Sequence, residues 1–177
     1  MGRLIVHARL KTDLYKGDVR RDVLDAALAS LPMPLGYNGD LITPADIEQA
    51  RVRYAGAPGG LIEIMVGRAL MADPALFRKA KGGEPATLTE LMAFHEELFE
   101  TYTERFQSRK NALMRMKEYW FYQLNLFGGD EDEATLAKAA SRLFRSKEVA
   151  DFEAAVRAVT ESFALRRDAR YGWHKPL

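Results

Sequence analysis

The chain has no cysteine, so these residues supply no disulfide, no thiolate metal ligand and no acid or nucleophilic thiol. It also has no surplus of charge. Lys plus Arg number 26 and Asp plus Glu 25, which leaves +1 over 177 residues. The global balance therefore singles out no partner, and any nucleic-acid signal has to be local. No apolar run approaches the ~18 residues of a membrane span. The first residues, MGRLIVHAR, are too short in their apolar part for a signal peptide. His7, His95 and His174 lie too far apart for a metal cluster, and no metal is expected. What is present is a 47% hydrophobic, 29% charged chain, rich enough in apolar residues to build a core. A soluble cytoplasmic protein is the expectation, with no membrane partner.

The chain changes character near residue 85. Before it, short apolar runs alternate with helical patterns. Leu4-Ile5-Val6 ends at His7, Met33 to Tyr37 is closed by Asn38-Gly39-Asp40, and Leu61 to Val66 is closed by Gly67-Arg68. Between them lie helical patterns from about Val19 to Ala29 and from Thr43-Pro44-Ala45-Asp46 to about Tyr54, the second with a cap residue and a first-turn proline. A further helical stretch covers Ala69 to Lys79. The strand starts near 4, 33 and 62 recur at about 29 residues, the spacing of strand–helix units with parallel strands and right-handed crossovers. A (β/α)8 barrel spends about 31 residues per unit. Three units cannot close one, and would leave open edges and a bare face. A small three-stranded α/β layer in its own right is the plainer alternative.

Lys81-Gly82-Gly83-Glu84-Pro85 reads as a linker. After it, everything is helical. Thr87-x-x-Glu90 is a capping box opening a helix with Leu91, His95, Phe99 and Tyr102 on one stripe. Three more helices are expected over about 109–127, 133–145 and 147–165, the second of them entered through the acidic run 130–133. The pattern predicts an antiparallel all-α bundle.

In parallel α/β folds, ligands sit at the carboxyl ends of the strands. Here those ends carry His7-Ala8-Arg9, Asn38-Gly39-Asp40 and Gly67-Arg68. Together they offer an imidazole, an amide, a carboxylate, two guanidiniums and two glycines. Glycines admit a close backbone approach, and guanidiniums bond phosphate oxygens. The picture is a cup for a phosphorylated cofactor. Each piece alone has an ordinary explanation: a turn, a loop glycine, a structural histidine. The order of the three carries the weight.

That order, VHAR, then LPMPLGYNGD, then EIMVGRALMADPALF, resembles the second half of a tRNA-dihydrouridine synthase. The resemblance implies a flavin-dependent (β/α)8 TIM barrel, of which residues 1–84 would be the last three βα units, followed by a helical tRNA-binding domain over residues 85–177. His7 would contact FMN, and Asn38, Gly39, Gly67 and Arg68 would hold its phosphate end, with Asp40 in the same loop. In such enzymes FMN delivers hydride to C6 of a uridine in tRNA, a cysteine supplies the proton at C5, and NADPH or NADH reloads the flavin. The cysteine and a flavin-ring lysine belong to earlier strands, so no catalytic residue is expected in this chain and the isolated chain is expected to be inactive. Met1 is read as an internal or secondary start, and the missing barrel half, or self-association through the open edge, as a partner.

The segment from Asn111 to Trp120 resembles the family's basic tRNA-binding helix. Arg105, Arg109, Lys110, Arg115 and Lys117 fall in a span without an acid, which suits phosphate contacts. Arg9 is grouped with them as an RNA-contacting residue. At Arg109-Lys110 the family pattern continues with His, where Asn111 stands here. Lys138, Arg142, Arg145 and Lys147 form a second basic stretch, and Arg166, Arg167 and Arg170 a third. Two other readings remain: another FMN-dependent barrel oxidoreductase such as a dihydroorotate dehydrogenase, which would lack the helical tail, and a non-catalytic RNA-binding or scaffolding module.

Overall fold

The computed structural model describes residues 4–10, 12, 18–31, 33–56, 61–129 and 132–170. Met1, Pro32, Asp130, Glu131 and His174, used above as sequence signals, lie outside them. The chain is α/β, mostly helical, with one small parallel sheet. It divides into two compact units, 1–70 with 76–83, and 71–75 with 84–177.

The first unit carries the sheet. Strands β1 (Leu4–His7), β2 (Leu35–Asn38) and β3 (Leu61–Met65) lie in the order β1-β2-β3, all parallel. The parallel pairing follows from the crossovers: helix α1 (Arg21–Ser30) returns the chain between β1 and β2, and α2 (Pro44–Tyr54) does so between β2 and β3. Leu35 and Tyr37 on one face of β2 are fully buried, together with Leu24 and Leu28 of α1 and Ile47, Ala50 and Tyr54 of α2. The opposite face carries Ile5, Asn38 and Met65, and is open. Ile5 is 38% and Met65 45% exposed.

Local chemistry sets the helix limits. α2 starts at a capping box in which the Asp46 backbone N–H donates to the Thr43 hydroxyl and the Thr43 N–H to the Asp46 carboxylate. α1 begins at Arg21 rather than Val19, and just before it the Arg20 N–H donates to the Ala8 carbonyl at 2.8 Å. The helix expected over 69–79 is two short ones, α3 (Arg68–Ala72) and α4 (Leu76–Ala80). Pro74 lacks an N–H and disfavours helix at the residue before it, while Asp73 accepts the Ala75 N–H at 3.1 Å.

The second unit contains α5 (Leu88–Phe106), α6 (Arg109–Gln123), α7 (Glu133–Arg145) and α8 (Val149–Ser162). α5 packs on α6, α7 on α8, and α6 also on α8. Thr87 and Glu90 form the expected capping box on α5. α6 stops at Gln123 instead of running to Phe127, because the Asn125 side-chain amide donates to the carbonyls of Phe121 and Tyr122 and a 3-10 turn follows over Leu124–Leu126. α8 ends at Ser162. Leu165 instead forms an antiparallel bridge with Phe127. Phe99, Trp120, Phe127 and Phe152 are fully buried in one core, each contributing roughly 1.5–3 kcal/mol by burial. Tyr119 and Trp120 of α6 are core residues.

Candidate functional site

Parallel register places the three strand ends level. His7 lies opposite Asn38, and Asn38 opposite Met65. The segments that follow them, His7-Ala8-Arg9, Asn38-Gly39-Asp40 and Gly67-Arg68, therefore emerge side by side on one rim, as the sequence order predicts. Asn38 reaches across to Met65, its amide nitrogen 3.5 Å from the sulfur.

Asp40 joins the rim together. Arg9 Nη1 donates to Asp40 Oδ1 at 3.1 Å and Arg9 Nη2 to Oδ2, a bidentate fork. Arg68 Nη2 donates to the same Oδ1 at 3.2 Å. The side chains are 4% (Arg9), 16% (Asp40) and 26% (Arg68) exposed, so Arg68 is the one that meets solvent most. Arg9, grouped by sequence with the RNA-contacting cations, is withdrawn into this pair. Two guanidiniums thus converge on this one carboxylate. His7 adds no charge near neutral pH. Partial burial holds its imidazole below the ordinary value, Arg9 and Arg68 push it further down, and Asp40 opposes them.

The backbone around Asp40 is fixed from both sides. β2 anchors Asn38, and the capping box of α2 anchors Ile42 and Thr43, whose N–H groups both bond Asp46. Gly39 is a packing requirement. A Cβ there would lie 2.7 Å from the Tyr37 hydroxyl and 3.0 Å from its ring. At Gly67 a Cβ would meet nothing within 4 Å. The rim is thus open above Gly67, cationic at Arg68 and neutral at His7. This donor set fits one anionic group such as a phosphate. From the sequence Asp40 was grouped with the cofactor-binding residues of the rim, without its arginine partners. Its two arginine partners lie 31 and 28 residues away, beyond any local pattern.

The cations of α6 are mostly engaged. Arg109 bonds Glu100 at 3.2 Å and Glu153 at 3.0 Å, and lies over the Phe99 ring. Lys110 pairs with Glu148 at 3.0 Å, and Arg115 with Glu118 at 2.9 Å. Lys117 turns inward and donates to the Ser146 carbonyl, and burial lowers the pKa of its ammonium. Arg105 is exposed, with no ion pair among the described residues. The acid-free span is therefore not an acid-free surface, because α5, α8 and α6 itself supply the carboxylates. No group of three or more His, Asp or Glu that could hold a metal occurs among the described residues, and no described helix is long and apolar enough to cross a membrane.

The sequence matches the family model for dihydrouridine synthase (Dus) over residues 1–163. Among curated proteins, it is 33% identical over 79 residues to the tRNA-dihydrouridine(16) synthase of Cupriavidus necator, covering 45% of this chain and 23% of that protein. It is 33% identical over 78 residues to tRNA-dihydrouridine synthase B of Pseudomonas putida, covering 43% of this chain and 21% of the relative. The figures for the synthase B of Serratia marcescens are 33% over 76 residues, 43% and 21%. The matched stretch spans less than a quarter of the length of each relative.

Proposed function

Since the chain belongs to the dihydrouridine synthase family, we propose that its sheet unit is the closing part of a (β/α)8 barrel whose rim grips the phosphate end of FMN. The observation that carries this is the level placement of His7, Asn38 and Met65, with Asp40 tying Arg9 to Arg68 beside them. In this assignment residues 1–84 are the last three βα units and residues 85–177 the tRNA-binding part.

Gly67 gives the phosphate room, and Arg68 neutralises it. Asn38 and Gly39 present backbone and amide groups beside it. His7, kept neutral, lies at the rim beside the flavin. Asp40 orients the Arg68 guanidinium, so it is aimed before a ligand arrives. When bound, FMN supplies the hydride for reducing a uridine of tRNA to dihydrouridine, with NADPH or NADH as reductant. The chain has no cysteine, so the proton donor expected of the family is not among these residues. The open sheet face and the free side of β1 receive the remaining βα units of the barrel.

A chimera tests this: the first part of the Pseudomonas putida relative joined to this chain, incubated with FMN, NADPH and an unmodified tRNA transcript. Gain of two hydrogens on uridine by mass spectrometry supports the assignment. A folded, flavin-loaded chimera that leaves uridine unchanged contradicts it. The chain alone is expected to produce no dihydrouridine.

A further inference from the structure

The cations of α7 differ from those of α6 in what they touch. Lys138, Arg142 and Arg145 of α7, and Lys147 just after it, are all exposed. None has an ion pair among the described residues. The first three stand at i, i+4 and i+7, within an arc of about 60° on the helix. They lie opposite Leu136, Ala139, Ala140 and Leu143, which pack into the core. No acid is available along the helix. The residues three and four positions before Lys138 are Thr135 and Ala134, and Arg142 has Lys138 and Arg145 as its neighbours. Glu148, next to Lys147, is already bonded to Lys110.

Like charges at this spacing repel and weaken a helix. In a chain with a net charge of only +1, three uncompensated cations on one helix face, with Lys147 just beyond the helix end, stand out against α6, where nearby carboxylates answer the cations. We propose that the exposed stripe of α7, and not the basic segment of α6, is the phosphate-contacting face of the second unit. Its partner is the sugar–phosphate backbone of RNA. Two lysines act as point charges and two arginines as forks that bond two phosphate oxygens at once. Such contacts fix where the RNA lies without reading its sequence. The inference rests on the tRNA-directed function proposed above, and it names the face that serves it.

The test measures binding of an unmodified tRNA transcript to the full chain over a range of salt concentrations. Two matched double variants are compared, Lys138→Gln/Arg142→Gln on α7 and Lys110→Gln/Arg115→Gln on α6, with circular dichroism to verify folding. Each lost phosphate contact lowers the slope of log K against log salt by roughly 0.7–0.9. The α7 variant is expected to lose about 1.5 of slope and about tenfold or more in affinity at low salt. The α6 variant is expected to stay within about twofold of the parent, because its cations are already paired. An α7 variant with the parental slope overturns the proposal. So does an α6 variant that loses as much or more, or a parent chain whose tRNA binding has no salt dependence. Failure to bind FMN with the α7 result intact would remove the cofactor assignment and leave this face standing.

Discussion

The indole N–H of Trp120 donates to Nδ1 of His95 at 3.0 Å, inside the core of the second unit. Both side chains are almost fully buried. Burial holds the His95 pKa down to about 4, and an imidazole that accepts at Nδ1 must be neutral there. The unfolded chain takes up this proton near the ordinary 6.5, so between that value and about 4 the unfolded state binds more protons. Stability therefore falls as pH drops through this window, by roughly 3 kcal/mol. His7, also depressed, acts in the same direction. His95→Phe should lower stability at pH 7 by about 1–3 kcal/mol, because the indole N–H loses its acceptor, and should flatten the acid dependence. Thermal unfolding at pH 7 and pH 4.5 measures both effects. A variant that keeps the full parental pH slope would contradict this account of His95.

Asp40→Asn removes the charge between Arg9 and Arg68. Because the Arg9 side chain is only 4% exposed, the loss should resemble breaking a buried pair, on the order of 3 kcal/mol. Asp40→Glu should recover part of it. Arg51→Ala, whose pair with Glu48 is fully at the surface, should leave the denaturation midpoint unchanged. Urea unfolding of the three variants gives the comparison.

Gly39→Ala should destabilise by about 1–3 kcal/mol through overpacking against Tyr37. Tyr37 is fully buried and meets Tyr54 edge-on at 6.0 Å, so it has little room to move. Adding Tyr37→Phe removes the atom 2.7 Å from the new methyl. The double variant should be more stable than the sum of the singles, and a double-mutant cycle in urea reads this coupling.

The open face of the sheet should make the chain associate with itself. Ile5→Lys puts a charge on that face, where the native side chain is already 38% exposed, and should reduce association without unfolding the chain. Light scattering against concentration decides it. A parent chain that stays monomeric at every concentration would count against the missing-half assignment.

The rim was legible in the sequence because its parts are local: a strand, then a short chemical signature, repeated at nearly constant spacing. Parallel register then does the rest: a register shift between Leu35 and Gly36 absorbs the extra residue of β3, and the three strands end level. The bonds that knit the rim together were not legible. Nothing near Asp40 in the chain shows that Arg9 and Arg68 converge on it. The same limit explains α6. Its cations look free along the sequence, while Glu148, the cap residue before α8, and Glu153 within α8 arrive from 38 and 44 residues away. α7 differs for a physical reason: its basic stripe faces away from every packed neighbour. The break at Asp73-Pro74 was written in the residues, but the apolar period runs through it and a helical reading followed the period.

The most direct test of the rim compares FMN with riboflavin, which lacks only the phosphate. Fluorescence titration of the chain should show tighter binding of FMN, and Arg68→Ala should bring the FMN affinity down to that of riboflavin. Equal affinities for the two flavins in the parent chain would contradict the claim that these three turns hold a phosphate.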